Sequence, residues 1–139
     1  MSDEQRVREA NERFYMAMNS LDLEEMDEVW EDDAACICVH PSGDCIIGYD
    51  GIRESWLAIF NASTSMSIAA SNEHITVAGE VAWVACTETI SLITDEGLAA
   101  AAAQATNIFR RRGGRWRMVV HHASTIPFTT VDEWPDMIN

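Results

Sequence analysis

Two adjacent histidines, His121 and His122, end a run of strand-like residues in the last third of the sequence. Histidine is the side chain whose ordinary pKa lies closest to neutral pH, so it can accept and return a proton during a reaction. A single histidine among apolar strand residues is also common as a hydrogen-bonded core residue. The pair therefore indicates either an acid/base catalyst or a core histidine, and the strand register decides which imidazole faces a pocket.

The Gly113-Gly114 pair before these histidines predicts a tight β-hairpin, because both central residues of a type I′ turn need positive φ. Side chains alternate between the two faces of a strand. A regular hairpin therefore places His122 on the same face as Asn107 and turns His121 to the opposite face. The expected pairs are Arg112 with Arg115, Arg111 with Trp116, Phe109 with Met118, Asn107 with Val120, and Ala105 with His122.

The preceding hairpin is predicted to close through a three-residue loop at 95–97, with Gly97 in the left-handed conformation. This register brings alternate residues of the preceding strand onto the face of Asn107. That face combines apolar bulk with neutral hydrogen-bonding groups, which is typical of a small-molecule pocket. Its predicted lining is Trp83, Thr87, Thr89, Asn107, His122 and Ser124.

Glu88 depends on the same register. In the expected alignment it lies on the outer, subunit-facing surface of the sheet, beside an arginine such as Arg110 or Arg117. A slip of one residue would invert the two faces. Glu88 would then be a buried carboxylate in the pocket and a candidate general base.

An enzyme built on this face needs a proton acceptor and a donor that stabilises an enolate-like oxyanion. His122 is the candidate acid/base, and Asn107 or Tyr15 is the candidate donor. His40 either reaches the pocket mouth or stabilises the turn at Pro41. The expected ligand contacts are Trp56, Trp83, Thr87, Thr89, Ser124 and His40, although the two tryptophans equally suit core packing.

A metal site would need three or four converging ligands, for example His40, His74 and His122 with a carboxylate. Nothing in the spacing of these residues forces them together, so neither a metal nor another cofactor is expected. The four cysteines lack the CxxC spacing of a metal or redox motif. They are expected to be free thiols in a reducing compartment.

Three helix signals precede the strands that must position these groups. Ser2 with Gln5 forms a capping box at the start of an amphipathic stretch, and Asp22 with Glu25 starts a second, acidic helix. Asp50 is expected to cap the third helix. Short apolar runs on either side of a Pro-Ser-Gly-Asp turn predict two small strands between the second and third helices.

From Met66 onward, β-branched and aromatic residues between glycine-containing turns predict a run of antiparallel strands. Three helices followed by strands indicate an α+β fold with the helices on one face of the sheet. The strands do not alternate cleanly between apolar and polar residues. The other face is therefore expected to be covered by a second subunit.

The composition is that of one globular domain, residues 1–139, whose C-terminal tail is placed at 128–139. The 139 residues are 47% apolar and 23% charged. The net charge of −14 comes from 23 acidic residues against 9 arginines and no lysine, and it repels phosphate backbones and anionic lipids. Nucleic acid and membrane are therefore not expected as partners. The charged N-terminal segment and the absence of a long apolar run lead to a cytoplasmic location as the expectation.

The motifs "VHPSGDCIIGYDGIRESW" and "GGRWRMVVHHAST" resemble the nuclear transport factor 2-like superfamily, and within it the SnoaL-like proteins. The chain is also similar to the association domain of calcium/calmodulin-dependent protein kinase II. Trp116, His122, Ser124 and Pro127 match a family pattern of the same residue types at the same spacing. The resemblance implies a cone-shaped, strongly curved mixed β-sheet wrapped around three N-terminal helices, with an internal pocket, usually as a dimer.

The sequence departs from these relatives at the pocket. Asn107 and Thr89 occupy positions where the association domain carries pocket arginines, so recognition of an acidic ligand is not carried over. The ketosteroid isomerase and SnoaL branches use a pocket aspartate as base, and no position here matches it.

The sequence therefore predicts a dimeric SnoaL-like pocket protein for a mainly neutral, partly apolar organic ligand. Without a cofactor, its chemistry would be proton transfer such as isomerisation, cyclisation or dehydration, with His122 as acid/base. The alternative is a non-catalytic association module that works through its outer sheet face. In that case Glu88, His121, Arg110 and Arg117 would matter more than His122.

Overall fold

The computed structural model describes residues 1–127, so the predicted tail at 128–139 lies outside the described residues. Within residues 1–127 the chain forms three helices and six strands, and this confirms the α+β prediction. None of these helices is long and apolar enough to cross a membrane. The elements are α1 (Asp3–Ser20), α2 (Leu23–Val29), β1 (Ile37–Val39), β2 (Cys45–Ile47), α3 (Tyr49–Ala62), β3 (Ser65–Ala78), β4 (Val81–Thr94), β5 (Gly97–Arg112) and β6 (Arg115–Ile126).

The helix α1 begins at the predicted capping box. The Ser2 side chain accepts a hydrogen bond from the Gln5 amide, and the Gln5 side chain accepts one from the Ser2 amide. The helix ends at Leu21, which adopts a left-handed conformation. Its buried face carries polar as well as apolar side chains: Val7, Asn11, Phe14, Tyr15, Ala17 and Met18.

The starts of the other two helices differ in how well they were predicted. Asp22 caps α2 as expected, with its side chain accepting bonds from two backbone amides. Asp50, by contrast, lies inside α3, and Gly48 is the N-cap residue with φ of +93°. The reason is tertiary: the amides of Gly48 and Tyr49 bond to the carbonyls of Cys36 and Asp33, so the N-cap lies two residues before Asp50.

The six strands of the described chain form one mixed sheet in the order β2-β1-β6-β5-β4-β3. All neighbours are antiparallel except β1 and β6, which are parallel. The inner face of the sheet packs against α1 and α3, and the core lies between these layers. The helices thus cover one face of the sheet.

The hairpin between β5 and β6 turns at Gly113 and Gly114, as predicted, with φ of +59° and +77°. Arg112 pairs with Arg115, Arg111 with Trp116, and Phe109 with Met118, also as predicted. Beyond Met118 the register shifts, because Val119 is an extra residue in β6. The pairs that follow are Ile108 with Val120, Asn107 with His121, Thr106 with His122, and Ala105 with Ala123.

This bulge corrects the prediction for the two histidines. One extra residue reverses the alternation of every side chain that follows it. His121 therefore points into the core, where it is 1% exposed, and His122 lies on the outer face. Ser124, predicted to line the pocket, is exposed on the outer face as well.

The β4–β5 hairpin also differs from the prediction by one residue. Thr94 pairs with Gly97, so only residues 95 and 96 form the turn. This tighter closure places Val84 opposite Asn107 and turns Glu88 inward, where it is 1% exposed. The predicted pocket residues on the other side of β4 face outward instead: Trp83, Thr87 and Thr89.

Candidate functional site

The inner face of the sheet carries buried polar groups in the middle of an apolar core. We call this set the interior polar cluster, and its members are Asn11, Tyr15, Glu88, Asn107 and His121. Asn11 and Tyr15 lie one helical turn apart on the inward side of α1, while the other three come from β4, β5 and β6. A buried polar group is costly unless it is hydrogen-bonded, so the bonds within the cluster decide what it can do.

One branch of the cluster runs from His121 to helix α1. His121 Nδ1 lies 2.6 Å from Asn107 Oδ1. Asn107 Nδ2 donates to Asn11 Oδ1 at 2.8 Å. Asn11 Nδ2 in turn donates to Oε2 of Glu73 at 3.0 Å, and Glu73 is half-buried on β3. The branch thus joins the deepest imidazole to a carboxylate near the surface.

A second branch joins the same asparagine to a buried acid. Asn107 Nδ2 also donates to the Tyr15 hydroxyl at 3.0 Å. That hydroxyl donates to Glu88 Oε2 at 2.7 Å and lies 3.2 Å from the Cys86 sulfur. Because the hydroxyl proton goes to Glu88, the Cys86 thiol is the donor in the longer contact.

Burial sets the protonation of these groups. Desolvation raises the pKa of Glu88, and the hydrogen bond from Tyr15 opposes this shift only in part. Burial, together with the nearby carboxyl of Glu88, raises the pKa of Tyr15, so the phenol keeps its proton. Burial lowers the pKa of His121 to about 3, so its imidazole is neutral at pH 7.

Aromatic rings surround His121 on the helix side. Its ring centroid lies 4.8 Å from that of Phe14, 6.2 Å from that of Trp56 and 6.5 Å from that of His40. His40 Nε2 is 2.8 Å from the Ser55 hydroxyl, which donates to the Ile52 carbonyl. The imidazole of His40 therefore belongs to the wall of the interior polar cluster, and burial lowers its pKa.

An open groove leads from the surface to one edge of the cluster. Its volume is about 370 Å³, and it runs between α1 and β3. Tyr15 and Asn11 reach its lining, so the groove ends at two members of the cluster. Its lining residues are Asn11, Glu12, Tyr15, Met16, Asn19, Ala70 and Glu73.

A separate depression lies on the outer face of the sheet, with a volume of about 420 Å³. His122 and Ser124 belong to this surface and not to the interior. Trp83 faces outward from β4 and is 40% exposed. The lining is Gln104, Thr106, Ile108, Val120, His122 and Ser124.

The structure thus brings together only part of the predicted site. Asn107 and Tyr15, the two candidate donors, form a hydrogen bond, and Trp56 and His40 pack beside His121. His122, Trp83, Thr87, Thr89 and Ser124 do not join them, because the two register differences turn these residues outward.

Three members of the cluster were missed or placed on the wrong face. The expected register puts His121 and Glu88 on the outer surface, with Glu88 beside an arginine such as Arg110 or Arg117; in the structure both residues point inward, and Arg110 pairs with Asp33. The predicted site does not include Asn11. The signal for it was present, since an asparagine four residues before Tyr15 shares its inward helix face.

No group of three or more histidine, cysteine or acidic side chains in residues 1–127 is arranged to hold a metal ion. The four cysteines all lie in this range, and each is a free thiol. The members of the interior polar cluster themselves supply carboxyl, phenol, amide and imidazole groups.

Helices packed against one face of a curved mixed sheet define a class of small α+β proteins. The chain belongs to the SnoaL-like domain family, which it matches over residues 7–129. This assignment and the neighbouring structures confirm the predicted place in the nuclear transport factor 2-like superfamily.

Two solved structures share both the fold and 30% sequence identity with this chain. A candidate dehydratase of the nuclear transport factor 2-like family from Streptomyces avermitilis superposes with a TM-score of 0.84, over 91% of this chain and 97% of the other. A candidate calcium/calmodulin-dependent protein kinase type II association domain from Thiobacillus denitrificans gives 0.72, over 85% and 93%. These two neighbours correspond to the two functions considered from the sequence.

The F-box protein SKIP8 of Arabidopsis thaliana is 28% identical over 116 residues, which is 84% of this chain. The chain spans 48% of the length of that protein. The likeness therefore concerns a portion of the plant protein only.

Proposed function

We propose that the protein binds a small, mainly neutral and partly apolar organic molecule against the interior polar cluster and transfers a proton on it without a cofactor. The observation that carries this proposal is the contact of Tyr15 with Glu88, at 2.7 Å within an apolar core. A raised carboxyl pKa beside a protonated phenol is the pairing that acid/base chemistry near neutral pH requires.

Glu88 is the proposed proton acceptor. Its carboxylate takes the proton on the carbon next to a ligand carbonyl, and the electron pair of that C–H bond moves into an enolate. In an isomerisation, the same carboxyl returns the proton to a carbon further along the conjugated chain. In a dehydration, the enolate expels a hydroxyl group, which takes the proton back from the Glu88 carboxyl and leaves as water.

Tyr15 is the proposed oxyanion donor. Its hydroxyl keeps its proton at neutral pH and accepts a hydrogen bond from Asn107, which increases its strength as a donor. A ligand oxygen can compete with Glu88 for the hydrogen bond from the Tyr15 hydroxyl. As negative charge develops on that oxygen, the hydrogen bond from Tyr15 to the ligand becomes stronger. Asn107 thus takes the role of a positioning residue for Tyr15.

The walls of the cluster favour an uncharged ligand. Phe14, Trp56 and Phe60 supply apolar surface, and no arginine or lysine is among the residues that contact the cluster in the described chain. A negatively charged group placed there would lose its hydration without a counter-ion and would lie near the carboxyl groups of Glu88 and Glu73, which costs several kcal/mol or more. The candidate dehydratase at 30% identity supports the same choice of chemistry.

Two ketones test the proposal because they give the same product. Cyclohex-3-enone isomerises to cyclohex-2-enone, and 3-hydroxycyclohexanone dehydrates to it, so one absorbance measurement follows both reactions. We expect the wild-type protein to accelerate at least one of them. Glu88→Gln should lower that acceleration by about 10²-fold or more, because the amide cannot take the proton.

Glu80→Gln is the matched control, since it makes the same chemical change at an exposed residue. We expect it to leave the rate unchanged. Equal rates in Glu88→Gln and wild type, or no acceleration of either ketone by the wild type, would contradict the proposal.

We further propose that two copies associate through the outer face of the sheet. The 420 Å³ depression and the half-exposed ring of Trp83 support this second function, because apolar surface of this kind marks interaction sites. The association-domain neighbour at 30% identity supports it as well. Light scattering should give a dimer, and a stable monomer would contradict this proposal.

Thr106→Arg should shift the assembly toward monomer, because it places a charge within the depression. Glu54→Arg, on the exposed side of α3, is the control and should leave the mass unchanged. A ring or larger assembly would favour the association module as the main function.

A further inference from the structure

The hydrogen bonds between Glu73, Asn11, Asn107 and His121 all run in one direction. Asn11 donates its amide hydrogens to Glu73, which as a carboxylate can only accept. The Asn11 oxygen then faces Asn107, so it accepts from Asn107 Nδ2 at 2.8 Å. The acid at the edge of the core thus orients the first amide, and the first amide orients the second.

The same order fixes the tautomer of His121. Asn107 Nδ2 gives its hydrogens to Asn11 and to the Tyr15 hydroxyl, which leaves Oδ1 to face the imidazole. An amide oxygen can only accept, so the hydrogen in the 2.6 Å contact belongs to His121 Nδ1. A neutral imidazole has one N–H. Nε2 therefore carries a lone pair and no proton.

The lone pair on Nε2 is left for a ligand. Within residues 1–127, Nε2 has no hydrogen-bond partner, whereas Nδ1 is held by Asn107. The ring lies among Phe14, Trp56 and His40 and is 1% exposed. A group that donates a hydrogen bond to Nε2 gains it in a site with a low effective dielectric.

We propose that Glu73, Asn11 and Asn107 lock His121 as the Nδ1–H tautomer, so that Nε2 selects a ligand that carries a hydroxyl group. Asn11 and Asn107 are positioning residues in this arrangement, and His121 is the residue that determines specificity. The hydroxyl is recognised as a donor, while a carbonyl oxygen, which is an acceptor, meets the lone pair unfavourably. The selection of ligand rests on the proposed function, because it needs a ligand in the interior; the tautomer does not.

Imidazole tautomers can be read directly by correlating ring nitrogens and carbon-bound protons in protein labelled with 15N-histidine. We expect His121 in wild-type protein to show the Nδ1–H pattern, with Nε2 at the shift of an unprotonated nitrogen. His122→Gln removes the neighbouring signal and should leave the His121 pattern unchanged, because residue 122 lies on the outer face. An Nε2–H pattern for His121 would overturn the lock.

Asn107→Leu removes the acceptor at similar size, and we expect it to shift His121 toward the Nε2–H form or a mixture. An unchanged Nδ1–H pattern in Asn107→Leu would show that Asn107 does not hold the tautomer. If this variant fails to fold, the wild-type spectrum still decides the tautomer. Neither measurement depends on turnover. The tautomer of His121 can therefore prove wrong while the proposed function holds, and the proposed function can fail while the tautomer is confirmed.

Cyclohexanol and cyclohexanone are the probes for the selection, because they match in size and only the alcohol can donate. We expect cyclohexanol to move the His121 Nε2 resonance of the wild-type protein and cyclohexanone to leave it in place. The alcohol should bind about three- to tenfold more tightly, as one added hydrogen bond predicts. Equal affinities, or no change at Nε2 with the alcohol up to its solubility, would overturn the selection.

Discussion

Asn107 on β5 and His121 on β6 pair directly across the strands, and the Asn107 Oδ1 atom lies 2.6 Å from His121 Nδ1. The pairing exists because Val119 is an extra residue in β6. The bulge lies where β6 exchanges partners: the Met118 carbonyl accepts from the Glu31 amide, and the residues after Val119 pair with β1. The contact that organises the interior polar cluster thus depends on a local irregularity of the sheet.

Deleting Val119 should remove the bulge and leave the pairing of Asn107 with His121 in place. Without Val119, a regular ladder runs from Phe109–Met118 to Ile108–Val120 and Asn107–His121, so His121 still points inward. We expect the deletion variant to fold with a loss of about 1–3 kcal/mol in the free energy of unfolding, because the bulge lies where β6 changes its partner strand. Urea denaturation measures this, with Val119→Ile as the control. A deletion variant that does not fold would contradict the assigned bulge.

The two neighbouring histidines should respond oppositely to the same substitution. His121→Ala leaves a cavity and an unpaired Asn107 oxygen in the core, so we expect a loss of about 2–4 kcal/mol in unfolding free energy. His122→Ala changes an exposed residue and should stay within about 0.5 kcal/mol of wild type in the isolated protomer. Urea denaturation of both variants checks the difference, and a reversed order would contradict the observed register.

His121 should also give the protein a distinctive pH dependence. Its pKa falls from 6.5 to about 3 on folding, so between these values the unfolded chain binds a proton that the folded chain does not. The contribution of His121 to the free energy of unfolding should therefore be greatest above pH 6.5 and fall as the pH drops toward 3, by up to ~1.4 kcal/mol per pH unit. His121→Gln cannot titrate and should lack this component. Denaturant midpoints at several pH values test this, and identical profiles would contradict it.

Glu88 should act on stability with the opposite sign. Burial raises its pKa above the ordinary 4.5, so as the pH rises past 4.5 the unfolded chain loses the carboxyl proton while the folded chain still holds it. Stability from this group is fully present below pH 4.5 and is lost as the pH rises through the raised value. Glu88→Gln keeps an acceptor for the Tyr15 hydroxyl but cannot ionise.

We therefore expect Glu88→Gln to gain stability relative to wild type as the pH increases above 4.5. Thermal denaturation from acid to mildly alkaline pH measures the difference, with Glu80→Gln as the exposed control. A constant difference between Glu88→Gln and wild type at all these pH values would show that Glu88 does not titrate abnormally. Such a result would also weaken its proposed role as proton acceptor.

The local signals in the sequence were sufficient for the elements and for the fold. The capping box at Ser2 and the cap at Asp22 lie next to the turns of helix that they satisfy, and the diglycine sets its own turn type. Each of these features depends on a few neighbouring residues, so it can be recognised without knowing where the rest of the chain lies. The diglycine turn also put Asn107 on the predicted pocket face, while Tyr15 was named only as a candidate donor.

The choice between the two faces of β4 and β6 was made by the tertiary structure. In each of two adjacent pairs, Glu88 with Thr89 and His121 with His122, the surrounding sequence does not show which residue faces inward. One residue more or less in a strand or turn exchanges the inward and outward residues of the pair. The bulge at Val119 accompanies a change of partner strand, and the two-residue turn at 95 and 96 sets the alignment of β4 on β5. The first depends on pairing with β1, which lies far away in the sequence, and the second depends on which face of β4 packs against the core. Neither is encoded in a short stretch of sequence.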